Sequence, residues 1–331
     1  MEGFSLDTPL PKVSADDIAL LPYSSGTTGM PKGVKLTHKN CAVNLEQCKH
    51  PDFVNHTPTS GNRKPTILFV VPSLLLFLAS HPAVTAETLS SIKEVTSGAA
   101  PGPKSLIDKF KYKLGRDNVS IRQGYGMSET SPCTTLTPWN LPASKLGSVG
   151  QLVKGTQARI VSLTTKEDLD AHQSGELYVK GPQVMAGYLK NDEATKETID
   201  EEGWLHTGDV AYYDEDHYFF IVDRTKELIK VKGNQVSPTE LESIIMQIQG
   251  VADAAVVGIP DILSGEIPRA FVVRRPGSTV TEEDIIQHVE PKVAAYKKLA
   301  GGVRFLDMIP RNPAGKVLRN ELKVFGNKEK A

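Results

Sequence analysis

Cysteine is scarce in this 331-residue chain, and what there is of it excludes two kinds of site. Cys41, Cys48 and Cys133 form no C-x-x-C pair and leave one over, which fits reduced thiols in a reducing compartment and rules out a disulfide framework or a cysteine metal cluster. An excess of one charge is missing too. Lysine plus arginine number 38 against 39 for aspartate plus glutamate, so overall charge points to neither nucleic acid nor an anionic membrane as the main partner. The most apolar run, residues 67–79, is broken by Pro72 and Ser73 and falls short of the ~20 residues of a membrane span. The start, MEGFSLDTPLPK, lacks the basic residues and apolar core of a signal peptide, and the end, NKEKA, is not the S-K-L peroxisomal address; the expectation is the cytosol. No internal repeat or low-complexity tract is present.

What the chain does have is Tyr23 to Gly33, YSSGTTGMPKG, a cluster of hydroxyls, glycines and one lysine. Glycines at 26, 29 and 33 let the backbone turn tightly and bring N–H groups to a polyphosphate; Ser24, Ser25, Thr27 and Thr28 add hydroxyls and Lys32 a positive charge. The spacing is G-x-x-G-x-x-K-G and not the G-x-x-x-x-G-K-[ST] of the P-loop, which disfavours a Walker-type NTPase. The alternative is an ordinary Ser/Thr/Gly surface loop. The run Ile18 to Leu21 before it reads as a buried strand and Thr37 to Lys49 after it as a helix, which puts the loop at a strand end, where ligands bind.

Length sets a prior of two domains. His50 to Lys64 has the punctuation of a loop. Strand and helix then alternate: strands at Ile67–Val71, Ile92–Thr96 and Val119–Arg122, helices at Ser73–Ser80 and Pro103–Leu114. Such alternation predicts an α/β fold with a mostly parallel, helix-covered sheet, its small-residue loops Ser97–Pro101 and Gln123–Glu129 facing the cradle. From Gly147 to Val222, strand-like runs between Gly and Asp turns predict a small β subdomain. Ser237-Pro238-Thr239-Glu240 is a capping box with proline at the first helical position. It opens a smaller α+β unit with helices at 238–248 and Glu282–Val289 and strands at Ala254–Ile259 and Arg269–Arg274. The boundary lies near Lys226, giving units 1–224 and 225–331.

Three further segments could carry chemistry. Gly124-Tyr125-Gly126-Met127-Ser128-Glu129 offers backbone freedom for a purine to lie against, a hydroxyl, and a carboxylate that either holds Mg²⁺ together with substrate phosphate oxygens or caps the next element. Gly203 to Asp209 puts an acid at a tight turn, where Asp209 could accept from both hydroxyls of a ribose or be structural. His206 reads as a packing or hydrogen-bonding residue, since no nucleophile pattern accompanies it. The loop Pro310 to Lys316 is stiff at two prolines and free at Gly315, a way to present one lysine; read alone it is merely a turn.

Taken together, Tyr23–Gly33, Ser97–Pro101, Gln123–Glu129, Gly203–Asp209, Asp223–Gln235 and Pro310–Lys316 resemble, in order and spacing, the core motifs of the adenylate-forming enzymes: acyl-CoA synthetases, 4-coumarate-CoA ligases and beetle luciferases. The resemblance covers nearly the whole chain. It implies that Ser24, Ser25, Gly26, Thr27, Thr28, Gly29 and Lys32 hold the ATP phosphates, Gln123, Gly124 and Ser128 the adenine and α-phosphate region, and Asp209 and Arg224 the ribose, with Glu129 on Mg²⁺. It implies that Lys226 is the hinge of a C-terminal lid and that Lys316 bridges acyl carboxylate and α-phosphate. The segment with Lys230, Lys232, Gly233 and Gln235 then serves the thioester step with coenzyme A. Gly98, Gly126, Pro132 and Cys133 match positions of the acid pocket, although Cys133 also reads as a small apolar filler. Ser128 stands where most relatives have threonine, and the hydroxyl is kept.

Two departures qualify the resemblance. The family's large N-terminal subdomain does not precede the cradle, and several dozen residues of the acid-pocket wall are missing between Lys64 and Thr66, so the chain resembles a truncated member that exposes apolar surface. Three functions compete: an ATP-dependent acid–CoA ligase acting on a small carboxylic acid, a luciferase-like adenylating monooxygenase, and an inactive nucleotide-binding remnant.

Overall fold

A computed structural model describes residues 12–24, 31–48, 66–98, 104–116, 119–312 and 316–327. At the start, β1 (Ile18–Leu20), β2 (Tyr23–Ser24), β3 (Lys32–Gly33) and β4 (Leu36–Thr37) form two short antiparallel pairs, β1 with β4 and β2 with β3. Ser24 therefore sits across from Lys32. The expectation of a buried strand at Ile18–Leu21 is corrected: Ile18 is 47 % and Leu20 57 % exposed, because β1 belongs to a two-stranded sheet with β4 and not to the central sheet.

Helix α1 (His38–Cys48) follows at once. Thr37 caps it, its hydroxyl taking the Asn40 N–H at 3.1 Å while Asn40 Oδ1 takes the Thr37 N–H at 2.9 Å. Its buried face is amide and not hydrocarbon. Asn40, Asn44 and Gln47, one or two turns apart, reach the carbonyls of Pro182, Val184, Cys133 and Lys154, so the helix docks by satisfying buried backbone.

The central sheet holds β5 (Ile67–Val70), β6 (Glu94–Ser97), β7 (Ser120–Gly126), β8 (Cys133–Leu136) and β9 (Gln151–Leu152) in that order. Its first three strands are parallel and the last two pairings antiparallel, so the sheet is mixed. Helices α2 (Pro72–Ser80) and α3 (Lys104–Leu114) pack on it through Leu75, Ile92, Val95, Ile107, Phe110 and Ile121. Register pairs Ser97, the last residue of β6, with Gln123 of β7. Below them Arg122 and Glu94, both buried, form an ion pair at 3.1 Å.

The β subdomain is an antiparallel sheet of β10 (Gln157–Val161), β11 (Gly175–Lys180), β12 (Leu205–Tyr213) and β13 (Phe219–Arg224), with helix α4 (Asp192–Thr198) between its second and third strands. One face of this sheet packs through Ile160, Leu177, Val179, Ala211 and Phe219.

Beyond Lys226, β14 (Ile229–Val231) and β15 (Asn234–Val236) make a hairpin that leads into α5 (Pro238–Ile245). A long hairpin of β16 (Val251–Asp261) and β17 (Gly265–Arg274) follows, then α6 (Glu282–Val289), β18 (Val303–Phe305) parallel to β17, and α7 (Arg319–Asn327). Helices α5 and α6 cover one face through Leu241, Ile245, Ile285 and Val289, while Leu322 of α7 and Ile309 cover the other against Phe271. The capping box is half made: Ser237 takes the Glu240 N–H at 3.2 Å, but the Glu240 carboxylate turns to Lys297 at 2.7 Å.

Candidate active site

Where the two parts meet there is a cleft of ≈ 200 Å³, lined among others by Gly124, Tyr125 and Gly126 of β7, Asp209 of β12, Arg224 of β13, and Lys316. Residues expected from separate motifs thus share one wall. Asp209 and Arg224 face each other in register across β12 and β13, with Arg224 Nε 3.2 Å from Asp209 Oδ1. The Tyr125 hydroxyl donates to Asp209 Oδ2 at 2.7 Å. Burial pushes the Asp209 carboxyl up from its ordinary range, and Arg224, the Tyr125 hydroxyl and Lys316 pull against it. The same burial, with Asp209 alongside, pushes the Tyr125 phenol well up, so it stays a donor. Gly126 leaves room here that no other residue would, since a Cβ on it would collide with the Pro132 carbonyl.

Lys316 comes from the C-terminal segment. Its N–H donates to Asn312 Oδ1 at 2.9 Å, and its ammonium stands 3.1 Å from Glu227 Oε1. Arg319 Nε holds the other oxygen of Glu227 at 2.9 Å, and Arg319 also binds Glu242 and the Val256 carbonyl. Burial alone would raise the Glu227 carboxyl, but Arg319 and Lys316 outweigh it and hold it below its ordinary value. One carboxylate therefore orients two cations, and both line the cleft.

The described end of the cradle at Lys32 meets Tyr188, which bonds Glu129, three residues beyond the cleft-lining Gly126. Lys32 lies over the Tyr188 ring, 4.8 Å from its centroid, and the Tyr188 hydroxyl donates to Glu129 Oε1 at 2.8 Å. Burial and then Glu129 push that phenol up. Glu129 is buried in a short 3₁₀ turn, Ser128–Thr130, that lies against β2. Ser25, Gly26, Thr27, Thr28 and Gly29 lie outside the described residues. Glu129 fits Mg²⁺ as a hard oxygen donor, one carboxylate sufficing when phosphates supply the rest; among the described residues no group of three or more His, Cys, Asp or Glu could hold a metal by itself.

Other expected residues fall around this centre. Gln123 is buried, with Nε2 lacking a hydrogen-bond partner, which leaves a donor to spare beside the cleft. Gly98 follows β6, and its N–H donates to Val70 O at 3.2 Å. The Pro132 carbonyl takes the Met127 N–H at 3.0 Å, and the Cys133 N–H goes to Asn44 at 3.1 Å. The hydrogen bond with Cys48 and then burial push the Cys133 thiol up, which suits an inert filler. Lys226 is exposed at the junction. Lys230, Lys232, Gly233 and Gln235 are on the hairpin of β14 and β15, whose turn needs positive φ at Lys232 and Gly233. None of the four lines the cleft. His206 bonds Asp200 at 3.3 Å and stacks on Tyr178, the packing role expected. Tyr125 and Glu227 fall inside the motifs Gln123–Glu129 and Asp223–Gln235 without being singled out there, and Tyr188 and Arg319 lie outside every motif.

Comparison with known proteins bears on this arrangement. The model for AMP-binding enzyme matches residues 4–62 and 60–189, and that for the AMP-binding enzyme C-terminal domain matches 240–316. 4-coumarate--CoA ligase 3 of Oryza sativa subsp. japonica is 40 % identical over 94 % of this chain and 64 % of the relative. Luciferin 4-monooxygenase of Luciola mingrelica is 38 % identical over 91 % and 62 %. The chain thus spans somewhat under two thirds of the length of these two relatives. ATP-bound MatB from Rhodopseudomonas palustris superposes with a TM-score of 0.84 at 30 % identity, over 96 % of this chain and 70 % of that one. Apo MatB from the same source gives 0.72 at 30 %, over 98 % and 72 %. No described helix is long and apolar enough to cross a membrane.

Proposed function

Since the chain belongs to the AMP-binding enzyme family, we propose that it is an ATP-dependent acid–CoA ligase of the 4-coumarate-CoA ligase kind. A carboxylate oxygen attacks the α-phosphorus of ATP and pyrophosphate leaves; the sulfur of coenzyme A then attacks the acyl carbon, its proton goes to solvent, and AMP leaves. The observation that supports this best is the shared cleft, in which the Asp209–Arg224 pair and Lys316 face one volume although they come from distant motifs. The closer likeness to an ATP-bound relative than to its apo form also favours a nucleotide-ready arrangement.

On this reading Asp209 and Arg224 take the ribose hydroxyls, Gln123, Gly124 and Ser128 the adenine and α-phosphate, and Ser24 to Gly29 with Lys32 the outer phosphates. Lys316 leaves Glu227 to bridge the acid and the α-phosphate as negative charge spreads over the phosphoryl oxygens. Glu129, steadied by Tyr188, would hold Mg²⁺, which when bound neutralises phosphate charge. Gly98, Gly126, Pro132 and Cys133 border the acid. Units 1–224 and 225–331 then move about Lys226, so that Lys230, Lys232, Gly233 and Gln235 serve the thioester step. No protein nucleophile is needed, and the reaction runs in the cytosol.

Pyrophosphate exchange across a panel of cinnamic and fatty acids, with ATP and Mg²⁺, tests the reading. Exchange with at least one acid, followed by CoA-dependent thioester, is expected. Light without CoA dependence would indicate the monooxygenase, and no exchange with any acid would leave a nucleotide-binding remnant.

A further inference from the structure

The last strand before Lys226 carries a buried carboxylate that the proposed chemistry does not use. Asp223 of β13 is 4 % exposed and faces across the junction. Its Oδ2 accepts the Ser237 hydroxyl at 2.6 Å and the Thr239 N–H at 3.1 Å, while Oδ1 accepts the Arg224 N–H at 2.8 Å. Ser237 and Thr239 belong to the cap and first turn of α5, beyond the hinge position. A carboxylate at a helix N-terminus meets unpaired N–H groups and the positive end of the helix dipole, and low dielectric strengthens both interactions. The same carboxylate lies near Arg319, whose proton it helps to hold, and Arg319 orients Glu227 and through it Lys316.

We propose that Asp223 is a latch: by capping α5 from the other side of the hinge, it holds the C-terminal unit in the orientation that brings Lys316 to the cleft. This rests on the ligase reading for its kinetic consequence, but not for its structural one. Asp223 is a positioning residue: it lines the cleft beside Arg224, but its polar contacts run to Ser237, Thr239 and the Arg224 N–H. Rotation about Lys226 must release the α5 cap, so the latch favours adenylate formation over the thioester step.

Two measurements test it. In Ser237→Ala, adenylate formation by pyrophosphate exchange should fall at least about five-fold, the value of the bond to Asp223 alone, while thioester formation from a supplied acyl adenylate and CoA holds or rises; equal loss in both steps overturns the latch. In Asp223→Asn, amide hydrogen exchange at Thr239 and Glu240 should quicken at least several-fold with β16 and β17 still protected, and unchanged exchange there overturns it. Wild-type protein that shows no pyrophosphate exchange contradicts the ligase reading alone, and the amide measurement still decides the latch.

Discussion

Lys316 and Glu227 form an ion pair at 3.1 Å within the cleft that also holds Asp209. The pair keeps a mobile ammonium at the mouth of the site without burying an unpaired charge. On the proposed reading, a phosphate that enters would draw Lys316 away from Glu227.

Replacing that lysine separates the two chemical steps. Lys316→Ala should lower adenylate formation by at least ~10²-fold, the scale of losing one charge-stabilising group, and leave thioester formation from a supplied adenylate largely intact. Single-turnover assays of each step check this; equal loss in both would contradict a lysine that acts in adenylation only.

Acid should loosen the same cluster. The Glu227 carboxyl is held below its ordinary 4.5 by Arg319 and Lys316 against the pull of burial. A depressed folded value means that its stabilisation is full above the unfolded value and is lost as pH falls through the folded one. The difference in Tm between wild type and Glu227→Gln should therefore be constant near neutrality and shrink progressively below about pH 4.5. A difference that grows on acidification would contradict the ion-pair account.

Beside Asp209, proposed to take the ribose, Tyr125→Phe removes the hydroxyl that serves a buried carboxylate at 2.7 Å. It should cost ~1–3 kcal/mol of stability and raise KM for ATP with kcat little changed. Denaturant unfolding and steady-state kinetics check both. Asp209→Ala should go further and abolish nucleotide binding measured by calorimetry.

Glu129→Gln keeps the acceptor for Tyr188 and removes the charge. The Mg²⁺ concentration for half-maximal pyrophosphate exchange should rise about ten-fold or more, a second-sphere-sized to ligand-sized loss, while Tyr188→Phe moves it less. An unchanged Mg²⁺ requirement in Glu129→Gln would reduce that residue to a structural cap.

Elsewhere, Glu94→Gln removes the buried carboxylate charge that faces Arg122 at 3.1 Å, and should cost about 3–5 kcal/mol. Urea unfolding monitored at the central sheet gives the number, and a loss below about 1 kcal/mol would contradict the pairing seen at 3.1 Å.

How far the sequence speaks for itself depends on the kind of signal. Alternating apolar runs located the three parallel strands and both helices of the central sheet, because that signal is local, and missed its antiparallel strands β8 and β9; Arg224 and Lys316 were reached only through the family resemblance. The amide face of α1 is different: Asn40, Asn44 and Gln47 look like a solvent-exposed stripe until their backbone partners, ninety to a hundred and forty residues away, are in view. Tyr188 and Tyr125 stayed hidden for the same reason, since their importance comes from the carboxylates they meet, 59 and 84 residues off. Ile18 to Leu20 misled in the other direction. Apolar residues state a preference for burial, and only the neighbouring layers decide whether it is met.

The central claim is that one adenylate fills the cleft between Asp209 and Lys316. Calorimetric titration with a non-hydrolysable acyl-adenylate mimic tests it most directly. One molecule bound per chain, lost in Asp209→Ala and weakened in Lys316→Ala, is the predicted result. No binding to the wild type, or binding indifferent to both substitutions, would contradict it.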